Sequence, residues 1–334
     1  MKITELRKGV SVIICSFNGA DKLPTTLQHL INQRTNNNIN WEVIFIDNNS
    51  IDGSLKVVEE YWKDQDSKVP IRLLNESTPG KYYALTRGIN EAKYTYFIVC
   101  DDDNWLSEDY IERAYRSLEE NPCIGALGGR SIAVLENRDS EIPLWLTKDQ
   151  ERYALGVQGE KSGNITYRKF IWGAGMVSHV TLYRNFYALY PSLFIKDTQN
   201  KSHFIAEDTE YCLRLILRGY HLFYDKDLIL QHFVPNDRLT EDYNIKLNKR
   251  IEESFDIIDK YIQSAKIFGS VSYSKVNRLR LKILTPIRLF LAKNKKSKIK
   301  HNTLFQLLFN SPTDIELKKI LNFISDNRLP RIRK

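Results

Sequence analysis

The chain of 334 residues has 42% hydrophobic and 27% charged residues, which is typical of a globular protein with one large domain and an appendage. Residues 1–10 are polar and charged and no apolar run approaches ~20 residues, so we expect neither a signal peptide nor a membrane-spanning helix. The four cysteines have no metal-binding spacing, which predicts free thiols in a cytosolic protein.

The net charge of +8 is distributed unevenly. Residues 260–313 contain no Asp or Glu and carry twelve basic residues. Subtracting that +12 from the overall charge leaves −4 for the rest of the chain. The sequence therefore combines a mildly acidic body with a strongly basic tail.

The first ~100 residues alternate strand and helix patterns in the manner of βαβ units. The predicted strands are residues 10–15, 41–46, 71–74 and 94–100. This alternation predicts a mostly parallel sheet with helices on both faces and right-handed crossovers.

Beyond residue 105 the pattern is more varied. In chain order we expect a helix at 107–118, a strand at 124–134, an irregular segment at 136–167, a glycine-interrupted strand at 170–177, a helix from 206 to 218, short strands at 221–224 and 228–233 around a turn, and helices after about 240. The irregular segment is a candidate loop for binding an acceptor substrate.

Three consecutive carboxylates, Asp101, Asp102 and Asp103, directly follow the fourth predicted strand. They would repel one another strongly without a neutralising cation. Mg²⁺ or Mn²⁺ takes carboxylates together with substrate phosphates, and ligands of open α/β sheets bind at the carboxyl ends of strands. The triplet indicates a metal–nucleotide site; the alternative is an acidic turn that caps the next helix.

Polar residues after the first two strands are expected at the same edge of the sheet. The candidate nucleotide contacts are Ser16, Phe17, Asn18, Asp47, Asn48, Lys81, Asp101 and Asp102. An Asp or Asn there can accept from a pyrimidine N3–H, and Asp101 can bond a ribose hydroxyl, although Asp47 also suits an Asx-turn.

No other phosphate-binding motif is present, since the sequence has no GxxxxGK[ST] and no GxGxxG after a strand. Lys81 or Arg87 is therefore a candidate for the phosphates. The alternative for Lys81 is a solvated turn lysine.

Three further candidates lie in the second half of the chain. Glu207 and Asp208 open a helix, where the helix dipole favours acids; the functional alternative is a general base for an attacking hydroxyl. His232 is a further metal ligand beside Asp101 and Asp103, a diphosphate contact, or a structural histidine. Trp172 with Gly173 is either an acceptor platform or a core tryptophan beside closely packed backbone.

These motifs, in this order and spacing, resemble those of glycosyltransferase family 2, the inverting enzymes of the GT-A fold, of the bacterial surface-polysaccharide type. The matching segments are residues 10–18, 46–54, 80–88, 101–103, 173–176 and 207–220. The resemblance implies a Rossmann-like catalytic domain at 1–240, with a nucleotide-binding half at 1–105 and an acceptor-binding half at 106–240. A helical basic extension would occupy 241–334.

The resemblance also implies roles for individual residues. Asp47 and Asn48 would bind the base, Asp101 the ribose, and Asp103 a Mn²⁺ or Mg²⁺ ion that acts as a Lewis acid on the leaving diphosphate. Asp208 would be the base for in-line displacement with inversion. Family members often have two acids where this chain has Asp47-Asn48, so a UDP-, dTDP- or GDP-linked donor remains open.

The basic tail interleaves apolar and basic residues over 278–300, a pattern typical of membrane-surface binding. This predicts a glycan or lipid-linked oligosaccharide acceptor and a cytoplasmic protein, peripheral on the inner face of the cytoplasmic membrane. A solvated helix packed on the catalytic domain is one alternative. A nucleic-acid patch is another, but no binding module is recognisable, so we expect no nucleic-acid partner.

Two other functions compete with sugar transfer. A sugar-phosphate nucleotidyltransferase would usually carry a glycine-rich basic loop after the first strand, and Ser16-Phe17-Asn18-Gly19 is not such a loop. A non-catalytic membrane or nucleic-acid binding protein would explain the tail but not the carboxylates at 101–103 and 208.

Overall fold

The computed structural model describes residues 5–36, 38–65, 67–137, 142–195, 206–270 and 272–332. The strands are β1 (Arg7–Ser16), β2 (Trp41–Asp47), β3 (Ile71–Asn75), β4 (Tyr94–Asp101), β5 (Asn104–Leu106), β6 (Ile124–Leu135), β7 (Gly163–Asn164), β8 (Val177–His179) and β9 (His221–Val234). Within the described ranges they form one sheet in the order β3-β2-β1-β4-β8-β6-β9-β5, with β7 paired to β9.

The first four strands are parallel because helical crossovers connect them, as the sequence predicts. The β-branched and aromatic runs of β1, β2 and β4 are largely buried, as expected for strands covered on both faces, whereas the edge strand β3 is only partly buried. β2 and β3 lie on one side of β1 and β4 lies on the other, which makes the carboxyl ends of β1 and β4 a topological switch point. β8 is antiparallel to β4 and β6, so the sheet as a whole is mixed.

Helices connect the strands and make up the C-terminal part of the chain. They are α1 (Leu23–Ile31), α2 (Ser54–Asp64), α3 (Lys81–Glu91), α4 (Tyr110–Glu120), α5 (Leu144–Asp149), α6 (Val180–Leu189), α7 (Glu207–Leu217), α8 (Glu241–Phe268), α9 (Lys275–Phe290), α10 (Lys295–Leu308) and α11 (Ile315–Ser325). The predicted helical C-terminal region is confirmed. Of the helices in the described ranges, none has the length and apolar character needed to cross a bilayer.

The chain divides into two compact units. The first unit comprises Met1–Asn164, Ile171–Arg184 and Phe223–Ile245, and the second comprises Ile165–Phe170, Asn185–Leu222 and Lys246–Lys334. In the first unit, the apolar faces of the parallel strands, α1 and α4 share one core. In the second unit, α8, α10 and α11 enclose a separate apolar cluster. The division into a catalytic domain and an extension at residue 240 stays a prediction.

Two predictions for the second half of the chain are wrong. The turn predicted at 225–227 is part of the continuous strand β9, where Lys226 N donates to Ser162 Oγ at 3.0 Å and β7 pairs with Tyr224. The strand predicted at 170–177 begins only at Val177, because Gly175 has a φ of +71° in a turn. The sequence also gave no expectation for α6 or for the short strand β5.

Candidate active site at the strand ends

The loops after β1 and β2 are joined by hydrogen bonds at the carboxyl edge of the sheet. Asn18 N donates to Ser50 Oγ at 3.0 Å, and Asn18 Oδ1 accepts from Ile51 N at 2.9 Å. Gly19 N donates to Ser54 Oγ at 3.0 Å. Asn18 has a φ of +54°, a conformation that Asn tolerates better than most residues. Asn18 therefore fixes the shape of the edge where the sequence predicts a nucleotide.

The side chain of Asn48 holds the loop after β3. Its amide nitrogen donates to Glu76 O at 2.9 Å and to Thr78 O at 2.7 Å, and its Oδ1 accepts from Gly80 N at 2.8 Å. Asn48 is also buried. These bonds use both amide hydrogens, so the structure gives Asn48 a positioning role. Its predicted contact with a nucleotide base is untested.

Two other predicted contacts present their side chains at this edge. Phe17 is 62% exposed, so its ring is available to a planar ligand. Asp47 is half-buried, and its Oδ1 accepts from Ser50 N at 3.3 Å, which is the Asx-turn contact considered from the sequence. The turn and a base contact are compatible, because a carboxylate has several acceptor sites.

Asp101 is paired with Lys81. Lys81 Nζ lies 2.7 Å from Oδ1 and 2.8 Å from Oδ2 of the carboxylate. Lys81 begins α3 directly after Gly80, whose φ of +127° favours glycine. Both partners of the pair are partly exposed. The structure thus brings together two residues that the sequence assigned to the same ligand.

Asp102 points into the protein and fastens the loop after β1. Its carboxylate accepts from Ser16 Oγ at 2.7 Å and from Lys22 Nζ at 3.1 Å. A Cβ on Gly19 would clash with this carboxylate, so the backbone approaches it closely. Burial and the neighbouring Asp103 raise the pKa of Asp102, and Lys22 and Ser16 partly oppose this. A structural role explains all of these contacts of Asp102 and Ser16.

Asp103 is the most buried member of the triplet, at 3% exposure. His232 Nε2 lies 3.6 Å from its Oδ1, and Arg238 Nη1 lies 3.1 Å from its Oδ2. Burial alone would raise the pKa of Asp103, but His232 and Arg238 outweigh burial and hold that pKa well below its usual range. Pairing of β5 with β9 sets this geometry, because it places Asn104 opposite His232.

Asp103 and His232 are suited to share a divalent cation. Asp103 supplies a carboxylate oxygen. The buried Nδ1 of His232 has no hydrogen-bond partner among the described residues. No described contact therefore requires the ring proton to be on Nε2, the nitrogen nearer to Asp103. Asp101, the third predicted ligand, is engaged by Lys81. No group of three or more His, Cys, Asp or Glu in the described ranges is arranged to hold a metal. The three-ligand assignment stays a prediction.

Glu207 and Asp208 form the first turn of α7, in the second unit. Asp208 is half-buried, and its Oδ1 accepts from Thr209 N at 2.5 Å. Acidic side chains in this turn are favoured by the helix dipole. Their position at a helix start is as predicted from the sequence, and their catalytic role is untested.

The next acidic residue in α7, Glu210, is fully buried and bonded to Arg214 at 2.8 Å. It also accepts from Ser192 Oγ at 2.5 Å, Leu193 N at 3.1 Å and Tyr261 OH at 2.8 Å. Burial alone would lower the pKa of Arg214, but the charge of Glu210 raises it. This network ties the first turns of α7 to the segment after α6 and to α8.

The predicted acceptor residues Trp172 and Gly173 lie in the first unit. Trp172 is 4% exposed and its backbone N donates to Gln158 Oε1 at 3.1 Å. Such burial agrees with the alternative that Trp172 is a core residue. The acceptor role of both residues stays a prediction.

Sequence reasoning missed two cations, Lys22 and Arg238. Each is isolated in the sequence, and each contacts a triplet carboxylate that is distant along the chain. Three adjacent carboxylates predict nearby counter-charges, but they do not predict which residues supply those charges.

Comparison with known proteins shows what this chain is similar to. Residues 11–171 match the model described as "Glycosyl transferase family 2". A Methanococcus voltae relative named "Dolichyl N-acetyl-alpha-D-glucosaminyl phosphate 3-beta-D-2,3-diacetamido-2,3-dideoxy-beta-D-glucuronosyltransferase" is 24% identical over 67% of this chain and 66% of its own length. The "Poly(ribitol-phosphate) beta-glucosyltransferase" of Bacillus spizizenii is 30% identical over 45% of this chain and 24% of its own length. The chain thus spans at most about two thirds of these relatives.

Solved structures of S. aureus TarS residues 1–349 share the fold. The complex with UDP has a TM-score of 0.50 and 13% identity, and the complex with UDP-GlcNAc has a TM-score of 0.51 and 12% identity. Each alignment covers 92% of this chain and 93% of the TarS chain. At these identities the likeness shows the fold alone, and it confirms the predicted fold class.

Proposed function

We propose that this chain transfers a sugar from a nucleoside diphosphate sugar to a hydroxyl group of a glycan or lipid-linked acceptor. The match of residues 11–171 to the glycosyltransferase family 2 model supports this proposal. The observation that carries the proposal is the gathering of Asp101, Asp103, His232 and Lys81 at the carboxyl edge of the parallel strands. Open α/β sheets bind their ligands at this edge.

The nucleotide half of the donor is assigned to the loops after β1 and β2. Phe17 is exposed enough to stack on a base, and the half-buried Asp47 would accept a hydrogen bond from that base. Asn48 and Asn18 hold these loops in place. Asp101 would approach the ribose, and Lys81, whose ion pair with Asp101 is partly exposed, is the proposed cation for the diphosphate.

Asp103 and His232, with Asp101 as the third predicted ligand, would hold Mn²⁺ or Mg²⁺. When bound, this ion supplies Lewis-acid stabilisation of the leaving diphosphate. Arg238 neutralises Asp103 through Oδ2, so the carboxylate stays ionised while buried. Arg238 is also a second positive charge beside the proposed ion, where negative charge develops as the sugar–phosphate bond breaks.

Asp208 is proposed as the general base, with Glu207 beside it. It would accept the proton of the acceptor hydroxyl as that oxygen bonds to the anomeric carbon and the bond from that carbon to the diphosphate breaks. Such proton transfer contributes about 10²- to 10⁴-fold in rate. The Glu210–Arg214 network supports the assignment, because it fixes the helix turn that carries Asp208. Trp172 and Gly173 remain the proposed acceptor contacts.

The proposed pathway is surface-polysaccharide synthesis at the cytoplasmic face of the membrane. The printed names of the relatives support it, since they include enzymes that act on a dolichyl phosphate-linked sugar and on poly(ribitol phosphate). UDP-sugars are the first donors to test, because TarS binds UDP-GlcNAc in the same fold.

The direct test is a thermal-shift screen of UDP, dTDP, GDP and CMP, each with Mn²⁺ and with EDTA. A ligand of the folded state stabilises it by about 2.7 kcal/mol at a hundredfold excess over its Kd. We expect one nucleoside diphosphate to raise the Tm, more strongly with Mn²⁺. No shift with any nucleotide, from a protein that unfolds cooperatively, would contradict the proposed donor site.

A further inference from the structure

Helix α9 of the second unit exposes a continuous stripe of large apolar side chains. The apolar stripe consists of Val276, Leu279, Ile283, Ile287 and Phe290, which are 53–87% exposed. Successive members are three or four residues apart, so they lie on one face of the helix. At 1.5 Å per residue the stripe is about 20 Å long.

The stripe is the outer face of a helix that is already packed on its inner face. Leu281 packs against the cluster of Ile267, Leu304 and Leu317, and Thr285 is fully buried. The apolar residues of the basic segment therefore separate into two sets, one that completes the core of the second unit and one that is left exposed. Packing within the described part of the second unit does not account for the exposed set.

Basic residues flank the stripe without acidic partners. Lys275, Arg280, Lys282 and Arg288 are exposed, and none forms an ion pair with an acidic residue in the described ranges. By contrast Lys260, which is also in the acid-free segment, contacts Asp314 and Glu316 at 2.7 and 3.1 Å. The charge beside the stripe is therefore not neutralised by the fold.

We propose that the apolar stripe of α9 docks on an anionic lipid bilayer, with the helix lying in the plane of the interface. Apolar residues in the headgroup region and cations beside anionic headgroups are the two contributions that hold such helices. A second copy of this chain is a poorer occupant, because a two-fold contact through the stripe would bring two unneutralised basic surfaces together. The inference adds a docking surface to the proposed function, and vesicle binding is measured independently of sugar transfer.

The test is co-sedimentation of the full chain with vesicles of phosphatidylcholine alone or of phosphatidylcholine mixed with the anionic lipid phosphatidylglycerol. The stripe variant is Ile283→Gln with Ile287→Gln. Its matched control is Ile245→Gln with Ile315→Gln, two isoleucines that are 59% and 68% exposed elsewhere. The charge variant is Arg280→Glu with Lys282→Glu, and its control is Lys318→Glu with Lys319→Glu on α11, which are also exposed.

We expect the wild-type chain to bind the anionic vesicles, and the stripe and charge variants to bind them at least about tenfold more weakly than their controls. Thermal unfolding checks that all variants are folded. Equal binding by the stripe variant and its control, or no binding by the wild type, would overturn the proposal. So would a lipid-free dimer, seen by analytical ultracentrifugation, that the stripe substitutions dissociate, since a second copy would then cover the stripe.

Discussion

The two acidic clusters of the chain look alike in sequence but differ in structure. Asp101 ends β4, Asp102 and Asp103 follow it, and each carboxylate contacts a different cation: Lys81, Lys22 or Arg238. In α7, by contrast, Glu210 is fully buried against Arg214 while Asp208 is half-buried in the first turn. Adjacent acids of one cluster therefore differ in burial and in their partners, which the sequence alone does not show.

Polar residues of these motifs fall into a buried set and a partly exposed set. Asp102, Glu210 and Asn48 are buried, and their contacts are with loops and helices of the protein itself. Asp101, Asp47 and Asp208 remain partly exposed. We expect the buried set to contribute to the stability of the fold and the partly exposed set to contact ligands. Asp103 is buried and is nevertheless a proposed metal ligand, so it is the exception.

The largest expected loss of stability is that of Glu210→Gln. It leaves Arg214 buried without its counter-charge, which costs about 3–5 kcal/mol. The matched control is Asp109→Asn, since Asp109 pairs with Arg113 at the same spacing but on the surface, where the cost is about 0–1 kcal/mol. Equilibrium denaturation in urea measures both. Similar losses in the two variants would contradict the assignment by burial.

Asn48→Asp is expected to destabilise the protein by about 1–3 kcal/mol. The new carboxylate still accepts from Gly80 N but faces the carbonyl oxygens of Glu76 and Thr78, to which Asn48 now donates. Urea denaturation measures the loss, with Asn90→Asp as the control, since Asn90 is an exposed residue of α3. If Asn48→Asp leaves stability unchanged and alters only the preferred nucleotide base, Asn48 reads the base instead.

Asp103→Asn is expected to weaken Mn²⁺ binding by about tenfold or more. The substitution removes the negative charge from the proposed donor pair of Asp103 and His232. The Mn²⁺ electron-paramagnetic signal reports free metal without requiring turnover. Asp109→Asn again serves as the control. Unchanged Mn²⁺ affinity in Asp103→Asn would place the metal elsewhere.

The smallest expected effect is that of Lys81→Met. The Lys81–Asp101 pair is partly exposed, so its removal should change stability by only about 0–1 kcal/mol. UDP binding should nevertheless weaken several-fold in isothermal titration, because Lys81 is the proposed diphosphate cation. A large loss of stability with unchanged UDP affinity would make Lys81 a structural residue.

Sequence patterns predicted the parallel half of the sheet well and the contacts between distant segments poorly. The apolar strands and the residues at their ends were recognisable, because periodicity and strand ends are local properties. Lys22 and Arg238 were missed, and β9 was divided by a turn, because both depend on pairing between segments distant along the chain. Likewise, no local signal distinguishes the buried Glu210 from the half-buried Asp208.

The most direct test of the central claim is donor turnover by Asp208→Asn. Wild-type protein with Mn²⁺ and a panel of UDP-, dTDP- and GDP-sugars should release one nucleoside diphosphate, faster when acceptor glycan is added. Asp208→Asn should reduce this rate by about 10²- to 10⁴-fold and leave the Kd for the nucleotide unchanged, while Asp64→Asn, a surface control, should match the wild type. Full turnover by Asp208→Asn would contradict the assigned base, and no turnover by the wild type with any donor would contradict the transferase itself.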